Sequence, residues 1–495
     1  MTIYLVGIGG SGAKCVESVV HLASVGLFPQ EPIKVLFVDA DESNGNVERA
    51  RKSLNIQTEC QRILSKIDKQ QCPWMQTSIE SFDLWSPFAK NSLNKELSAF
   101  FNYNNIKQSE PALANLFDVL YTDKEKQENL DVGFRGRPAI GAAVMSQVDL
   151  NRLDEEPWGT FIEQIRADVN EGKQPKVLLC GSIFGGTGAS GLPTIARLIA
   201  NKLNDINIRD RVNIGSIFIL PYFGFTAPAG ESQNGIYAQS DKFLLNTEAA
   251  LRYYVTQAQG IFDTVYLLGN ENLAKVNFSI GKNTQCNQPH FIELYAGLAA
   301  RHFLTETHPE HETIVLLSRS QSQYINWNDI PDGRNVQKIL GSTTRFAYTW
   351  LAEIVPELTN AKNDGFKNYS RFAPWLSRFY DLKPDQPIQF DSNREQNAIA
   401  IINNWCKDYL RWLQEIHRCE SDKIELFKHS IFAQINNLQG IKLQDLILGD
   451  HRDARTKQRN DEPTRIKNNL NPRKIKDNNR GTVGLAQAVY QACQL

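Results

Sequence analysis

Two glycine-rich segments contain the residues of this chain that are best suited to bind phosphate. Residues 7–12 read GIGGSG and residues 184–191 read FGGTGASG, and each segment follows an apolar run and precedes a helix-like stretch. A strand, a glycine turn and a helix in that order point backbone N–H groups and a helix N-terminus at a phosphate. The candidate phosphate-binding residues are Gly9, Gly10, Ser11, Gly12, Gly185, Gly186, Thr187, Gly188 and Ser190.

The presence of two such segments indicates the kind of phosphate ligand. One glycine loop with an acid after the second strand, as in GIGGSG with Asp39, is typical of a dinucleotide-binding Rossmann domain. A second loop after its own strand favours a mononucleotide triphosphate held across the strand ends. The P-loop pattern is absent, so we expect backbone N–H groups and helix dipoles to hold the phosphates. An NAD-dependent oxidoreductase is a remote alternative, because the sequence offers no clear catalytic Tyr–Lys or His–acid pair.

Charged side chains near these segments have two competing interpretations. Asp39 and Asp41 follow the apolar run 33–38, and they either face a phosphate or a metal or are solvated acids at a strand end. Arg135 and Arg137 lie beside a further glycine, and they either reach a phosphate or a neighbouring molecule or pair with surface acids. The sequence leaves both pairs open.

The elements that position these residues alternate along the chain. Apolar runs at 33–41, 213–225 and 262–273 alternate with helix-like stretches at 12–27, 246–258 and 290–304. This alternation predicts an α/β fold with a parallel sheet in three layers, the helices covering both faces. Beyond about residue 334 the pattern becomes mostly helical, with one apolar stripe formed by Ile402, Trp405, Tyr409, Leu413 and Ile416.

Taken in order, these motifs resemble the tubulin/FtsZ superfamily, and specifically its divergent bacterial tubulin-like proteins. GGTGASG at 185–191 is similar to the family's GGGTG[ST]G loop, and GIGGSGAKCVE is similar to its first glycine loop. VDADESN at 38–44 resembles the loop with metal- and phosphate-facing acids, and GRPAIG at 136–141 resembles the N-P-x-x-G loop near the terminal phosphate. The resemblance covers about residues 1–335. It implies GTP and GDP as ligands together with Mg²⁺, with Asp41 as a metal ligand and Arg137 near the phosphates.

The same resemblance implies contacts to the ribose and the base. ILPYFGFTAPAGES matches the family's ribose-contacting strand and loop, which makes Glu231 the ribose contact. LLGNENL is similar to the strand end where an asparagine reads guanine, which makes Asn270 the guanine reader. The long helix from about residue 288 resembles the family's central helix, and Asn287 is a further candidate at its start.

The resemblance also implies that the active site is completed by a neighbouring subunit. In the family, a loop with the pattern N-x-D-x-x-D reaches the next subunit's nucleotide and positions the attacking water, so that hydrolysis accompanies head-to-tail assembly of the protein with itself. Here the loop, which we call the acid loop, spans residues 326–332 and has Asn328 and Pro331 where the family has acids. Asp329 and Asp332 stand one residue away. The catalytic candidates are therefore Asp329, Asp332 and Asn328, and a non-hydrolysing scaffold or switch is the alternative; Asp329 also suits a simple helix cap.

The resemblance and the composition together predict four regions. The resemblance implies a GTP-binding tubulin-like domain at residues 1–305, with a largely helical insertion at about 45–132, and residues 306–449 are expected to form a mostly helical second domain that begins with the acid loop. Residues 450–480 are basic and polar and predict a flexible linker, and residues 481–495 predict a tail helix. Residues 450–495 either recruit a protein partner, contact an anionic polymer or dock back on the body.

The overall charge and apolar content exclude some classes of protein. The formal net charge of −1 gives no indication of nucleic-acid binding. No apolar run approaches the ~18 residues that a transmembrane helix needs, so no membrane insertion is expected. The eight cysteines are scattered without a C-x-x-C pair, which favours reduced thiols and a cytoplasmic protein.

Overall fold

A parallel β-sheet of seven strands forms the centre of the protein. The computed structural model describes the chain from residue 2 to 495, apart from residues 66–71, 89–94, 148–155, 227–237, 280, 308–311, 317–323, 384–386, 420, 429–442, 454, 456, 458–465, 468 and 471–479. In chain order the strands are β1 (Ile3–Ile8), β2 (Ile33–Val38), β3 (Ile79–Trp85), β4 (Lys176–Ser182), β5 (Asn213–Ile219), β6 (Phe223–Gly224), β7 (Thr264–Leu268), β8 (Ala274–Lys275), β9 (Thr313–Leu316), β10 (Tyr324–Ile325) and β11 (Lys423–Ile424).

The order across the large sheet is β3-β2-β1-β4-β5-β7-β9, and every neighbouring pair is parallel. The remaining strands form two small pairs, β6 with β8 and β10 with β11. Because the strands are parallel, their carboxyl ends share one edge, where the loops after β1, β2, β4 and β5 meet. The predicted α/β fold with a parallel sheet is confirmed.

Helices cover both faces of the sheet. They are α1 (Gly9–Ser24), α2 (Gly45–Leu64), α3 (Leu97–Phe100), α4 (Tyr103–Ser109), α5 (Pro111–Leu120), α6 (Asp123–Gln127), α7 (Pro138–Met145), α8 (Trp158–Asn170), α9 (Thr187–Asp205), α10 (Phe243–Gln257), α11 (Phe291–Thr305), α12 (Gly333–Thr349), α13 (Val355–Asn363), α14 (Phe366–Tyr369), α15 (Asn393–His417) and α16 (Gly481–Ala492). Among these described helices, none is both long enough and apolar enough to cross a membrane.

Two apolar cores lie on opposite faces of the sheet. Side chains of a strand alternate between the faces, so that Ile3 and Leu5 of β1 join one core while Tyr4, Val6 and Ile8 join the other. The first core includes residues of α1, α2 and α11, and the second includes residues of α7, α8 and α9. This is the three-layer arrangement that the sequence pattern predicts.

The helical C-terminal region packs on the α1 and α2 side. The apolar stripe of α15 is buried there, as its three- and four-residue spacing predicts. Trp74 contacts Trp405 of α15 and Phe346 of α12, with ring centroids 5.2 and 4.5 Å apart. Tyr490 of α16 stacks on Trp74 at 6.0 Å, so the tail helix docks on the body, the third of the alternatives for this segment.

The sheet draws strands from outside the expected boundaries. β3 lies within the segment expected to be a helical insertion, and β9 lies beyond residue 305. In the segment expected to be a flexible linker, the described residues Ile466 and Leu470 are buried, and Lys467 pairs with Glu357 at 2.9 Å. These described parts of residues 450–480 therefore contribute to the packed body.

Candidate functional site

Two helices begin at the carboxyl edge of the sheet, and both N-termini lie at one cavity. α1 begins at Gly9, directly after β1, and α9 begins at Thr187, shortly after β4; neither helix has a side-chain cap. An α-helix leaves the N–H groups of its first turn without intrahelical partners, so both turns offer donors there. All predicted residues of the two glycine loops line the cavity except Gly12 and Ser190.

The two glycine loops touch each other. Gly9 has a φ of +72°, a left-handed conformation that favours glycine, and a Cβ atom on it would lie 3.3 Å from the backbone nitrogen of Gly188. A Cβ atom on Gly188 would clash with the carbonyl oxygen of Ser182 at the end of β4. Only glycine lets these two backbones approach this closely.

Gly12 and Ser190 have packing roles instead. A Cβ atom on Gly12 would clash with the carbonyl oxygen of Cys180, so Gly12 lets α1 lie close against β4. Ser190 donates its hydroxyl to the carbonyl oxygens of Gly186 at 2.9 Å and Thr187 at 3.2 Å. This bonding to the preceding turn is common for serine within a helix, and it keeps the hydroxyl away from the cavity.

Asp39 connects the end of β2 to the second glycine loop. Its Oδ1 accepts hydrogen bonds from the Thr187 hydroxyl at 3.3 Å and from the backbone N–H of Asp41 at 3.2 Å. Its Oδ2 is buried and has no hydrogen-bond partner within the described residues. Burial and then the nearby charge of Asp41 raise the pKa of the Asp39 carboxyl to about 7. Asp39 therefore changes its charge near neutral pH.

Asp41 lies beside Asp39, but both of its carboxylate oxygens accept hydrogen bonds. Its Oδ1 accepts from the backbone N–H and the hydroxyl of Ser43, both at 3.1 Å, and its Oδ2 accepts from the backbone N–H of Lys282 at 2.5 Å. Both Asp39 and Asp41 line the cavity. Carboxylate oxygens suit Mg²⁺, and the unpartnered Oδ2 makes Asp39 the better ligand of the two.

A third loop closes the cavity from the side of α7. Gly133, Phe134, Arg135 and Gly136 line the cavity, and a Cβ atom on Gly186 would lie 3.0 Å from the backbone nitrogen of Gly136. The predicted Arg137 follows this loop, but its guanidinium pairs with Glu125 at 3.4 Å, outside the cavity lining. Arg135 is the arginine that lines the cavity, and it pairs with Glu128 at 2.7 Å.

The other end of the cavity is aromatic. Tyr222, Phe223, Phe225 and Phe243 line it together with Phe184, which precedes the second glycine loop. Phe184 lies 4.6 Å from Phe243 and 5.5 Å from Phe223, measured between ring centroids. The acids come from the β2 side of the sheet, the glycine loops from β1 and β4, and the aromatic rings from the β5 side. The cavity thus runs from an acidic end past the two glycine-rich turns to an aromatic end.

The residues predicted to contact base and ribose have different positions. Asn287 lines the cavity, and its backbone N–H donates to Asn46 Oδ1 at 2.9 Å. Asn270 is outside the described lining, because its amide nitrogen donates to Asp422 Oδ2 at 2.6 Å and to the carbonyl oxygen of Asn272 at 2.7 Å. The structure therefore does not bring Asn270 to the cavity. Glu231 lies outside the described residues.

The acid loop forms a short helical turn before α12. Asp329 Oδ2 accepts from the backbone N–H of Asn326 at 2.9 Å, while Asn326 caps the same turn. Asp332 precedes α12 at φ +53° and pairs with Arg301 at 2.8 Å. Asn328 is exposed. None of the three catalytic candidates belongs to the described lining of this chain's own cavity.

Several polar residues of the cavity were missed by the sequence-based selection, among them Asn44, Asn46 and Lys14. Asn44 caps α2 and accepts from the backbone N–H of Asn46 at 2.9 Å, and its amide donates to Gln285 Oε1 at 3.3 Å. The position of Asn44 and Asn46 shortly after the acids at 39–41 was the available signal in the sequence. Lys14 also lines the cavity; its contacts come from distant segments and leave no local pattern. Within the described residues there is no group of three metal-ligating side chains.

Comparisons with known proteins give little beyond the fold. No protein-family model and no curated protein matches the chain. Among solved structures, it is similar to the GDP-bound monomer of CetZ1 from Haloferax volcanii, at 14% identity and a TM-score of 0.25, over 56% of this chain and 54% of that one. It is also similar to CetZ from Methanosaeta thermophila strain DSM 6194, at 12% identity and a TM-score of 0.26, over 63% and 56%.

These two neighbours belong to the tubulin/FtsZ family, the family that the motifs resemble. The chain spans only a little over half the length of either solved structure. Superpositions at TM-scores of 0.25 and 0.26 carry no argument about function.

Proposed function

We propose that this protein binds GTP and GDP with Mg²⁺ in the cavity between the two glycine loops and assembles head-to-tail with copies of itself. The observation that carries the proposal is the meeting of two uncapped helix N-termini, at Gly9 and Thr187, in one cavity. Each N-terminus supplies N–H donors and a partial positive charge to an anion. The choice of guanine and the assembly mode follow from the resemblance to the tubulin/FtsZ superfamily.

Different residues of the chain bind the phosphates and the metal. The first turns of α1 and α9 hold the phosphates through their N–H groups, and Thr187 adds a hydroxyl. Asp39, and Asp41 more weakly, would hold the metal, which would neutralise charge on the phosphate oxygens. The Asp39 carboxyl, whose pKa is about 7, would be held in its ionised form beside that cation.

Hydrolysis requires the acid loop of a neighbouring copy. An acid of that loop accepts a proton from a water molecule, the water oxygen bonds to the γ-phosphorus, and the bond from that phosphorus to the β–γ bridging oxygen breaks to give GDP and phosphate. Asp329 and Asp332 are the acids at hand, and the exposed Asn328 can orient the water. Their distance from this chain's own cavity lining fits a role in the neighbour's site.

A second candidate function is a nucleotide-dependent scaffold or switch that does not hydrolyse GTP. This candidate is favoured by the interactions that already hold the two acids. Asp329 accepts a hydrogen bond from the backbone N–H of Asn326, and Asp332 pairs with Arg301. A carboxylate held in this way is less available as a proton acceptor. The two candidates share the cavity and differ in whether the γ-phosphate is removed.

Sedimentation with GTP, GDP, ATP and a non-hydrolysable GTP analogue, with released phosphate measured in the same tubes, tests the proposal. We expect pelleting with GTP and with its analogue, and phosphate release only with GTP. Asp329→Asn keeps an acceptor for the Asn326 N–H but removes the proton acceptor, so it should pellet without releasing phosphate. Pelleting with GTP and no phosphate release from the unaltered protein would select the scaffold. Indifference to all four nucleotides would reject both candidates.

Mixing two inactive variants tests whether the site is shared between copies. Ser11→Asp places a negative charge in the first glycine loop and should abolish nucleotide binding, while Asp329→Asn should bind nucleotide without hydrolysis. In a mixture, the intact acid loop of the first variant can act on the nucleotide of the second. Phosphate release from the mixture, and from neither variant alone, is the expected result. If the two variants still co-sediment but their mixture releases no phosphate, the result would contradict a shared site.

A further inference from the structure

Lys14 is a buried cation in the wall of the cavity that the proposed function does not use. It lies one turn into α1 and is 3% exposed, yet it lines the cavity. Its Nζ lies 2.5 Å from Glu293 Oε1, a carboxylate that is 1% exposed at the start of α11. A buried ion pair costs desolvation energy, so its position at a ligand cavity calls for an explanation.

The surrounding groups hold Lys14 in place. The Tyr222 hydroxyl donates to Glu293 Oε1 at 2.6 Å, and the backbone N–H of His290 donates to Glu293 Oε2 at 2.8 Å. Both carboxylate oxygens are thus occupied. Lys14 also lies 5.5 Å from the centre of the Tyr222 ring and 3.4 Å from its hydroxyl oxygen, which is long for a hydrogen bond. Within the described residues, the contact with Glu293 is the one short hydrogen bond of this ammonium group.

Lys14 lies towards the aromatic end of the cavity. Tyr222, which it contacts, belongs to the aromatic end of the cavity, on the β5 side of the sheet. Asp39 and Asp41 lie at the opposite end, towards β2, with the glycine loops between. Phosphates held at the glycine loops leave the aromatic end for the base.

An ammonium group donates hydrogen bonds and accepts none. Guanine has oxygen, an acceptor, at position 6, whereas adenine has an amino donor there, and lysine pairs with the guanine O6 and N7 edge in other complexes. The amides near the cavity, such as Asn44 and Asn287, can turn to donate or accept. Asn270 is bonded to Asp422 outside the lining. Lys14 is therefore the cavity's donor-only group at the base end among the described residues.

We propose that Lys14 is the specificity-determining residue for the base, and that its ammonium group, held by Glu293 and Tyr222, selects purines with a 6-oxo group over those with a 6-amino group. This inference rests on the proposed nucleotide function and assigns base reading to α1 instead of the strand end at Asn270.

Three nucleoside triphosphates distinguish recognition of the 6-position from recognition of the rest of the base. GTP has the 6-oxo and 2-amino groups, inosine triphosphate keeps only the 6-oxo group, and 2-aminoadenosine triphosphate has amino groups at both positions. Dissociation constants by calorimetry should show GTP and inosine triphosphate within about 3-fold of each other. The 2-aminoadenosine compound should bind at least about 10-fold more weakly to the unaltered protein.

Variants then assign the selection to Lys14. Lys14→Met combined with Glu293→Gln removes both charges at similar volume and should bring the three compounds within about 3-fold. Glu293→Gln alone keeps the ammonium and should keep the preference. If the double variant does not fold, Lys14→Gln, whose amide donates or accepts, should also abolish the preference. Unchanged ratios in a folded Lys14 variant would overturn the inference, as would an equal loss for all three compounds, which indicates a ribose or phosphate contact. If the unaltered protein binds none of the three, the proposed function itself fails.

Discussion

Tyr295 donates its hydroxyl to the backbone carbonyl oxygen of Asp329 over 2.7 Å. Tyr295 lies on α11, two residues after Glu293, which contacts Lys14 at the cavity. One helix therefore contacts both Lys14, which lines the cavity, and the acid loop of the same chain. In a head-to-tail assembly this helix would connect the nucleotide of one copy to the acid loop that the same copy presents to its neighbour.

Tyr295→Phe removes that hydroxyl with little change in volume. We expect phosphate release to fall about 3–10-fold, since one lost hydrogen bond is worth about 1 kcal/mol and the acid loop becomes less well positioned. GTP affinity should stay within about 2-fold. Tyr266→Phe is the matched control, because its hydroxyl bonds His302 at 2.8 Å, away from the acid loop. Equal phosphate release by the two variants would contradict a positioning role for Tyr295.

Glu17 is buried between two guanidinium groups and joins α1 to α2 and α15. Arg49 lies 2.9 Å from its Oε2 and Arg411 lies 2.7 Å from its Oε1, and the Glu17 side chain is 1% exposed. Glu17→Gln leaves Arg49 without its counter-charge and Arg411 with Asp408 alone at 3.0 Å, so we expect a loss of about 3–5 kcal/mol in the free energy of unfolding. Chemical denaturation measures it. Glu248→Gln, in an exposed pair with Arg252, should cost less than about 0.5 kcal/mol, and similar losses for both would refute the prediction.

Gly12→Ala tests the contact between α1 and β4. The added Cβ atom clashes with the Cys180 carbonyl oxygen, so the helix must move away from the sheet. Overpacking of this kind costs about 1–3 kcal/mol, and the shift of α1 should also weaken GTP binding. Gly224→Ala is the control, because its nearest neighbours would be 3.8 Å away. Thermal unfolding of both variants decides whether Gly12 is needed for packing.

Sequence predicted the parts of this site that are locally encoded. The glycine loops, Asp39 and the α/β alternation are short-range patterns, and the structure brings the two loops together as their strands require. The first helix begins at Gly9 rather than near residue 12, because the glycine segment itself adopts helical geometry. The stripe on α15 predicted a buried face, and the burial confirms it.

Long-range contacts account for what the sequence did not predict. Asn270 follows the expected strand, but its side-chain amide donates a hydrogen bond to Asp422, which lies 152 residues later in the chain. The role of Lys14 depends on Glu293, far along the chain. The sequence predicts an apolar side on the tail helix, but only the fold shows that Trp74 packs against this helix.

The raised pKa of Asp39 makes stability depend on pH. The folded protein holds a proton on Asp39 up to about pH 7, whereas the ordinary value for an unfolded chain is 3.8. The unfolded state therefore binds fewer protons in that window, and this carboxyl lowers stability as the pH rises through it. At pH 8, Asp39→Asn should be more stable than the unaltered protein, by at most about 4 kcal/mol, with little difference at pH 4.

Urea unfolding at both pH values checks the sign of this effect. Asp41→Asn is the control, because both oxygens of Asp41 accept hydrogen bonds and an amide would face the Lys282 N–H with the wrong group in one orientation. Asp41→Asn should gain less stability at pH 8 than Asp39→Asn. No gain by Asp39→Asn at pH 8 would contradict the burial of an unpaired carboxyl at position 39.

Equilibrium dialysis of labelled GTP against the purified protein tests for a nucleotide site between the two glycine loops. We expect saturation at one nucleotide per chain, loss of binding in Ser11→Asp, and normal binding in Ser109→Asp, which places the same charge on exposed α4. A protein that binds no GTP, or a Ser11→Asp variant that binds as well as the unaltered chain, would contradict a nucleotide site between the two glycine loops.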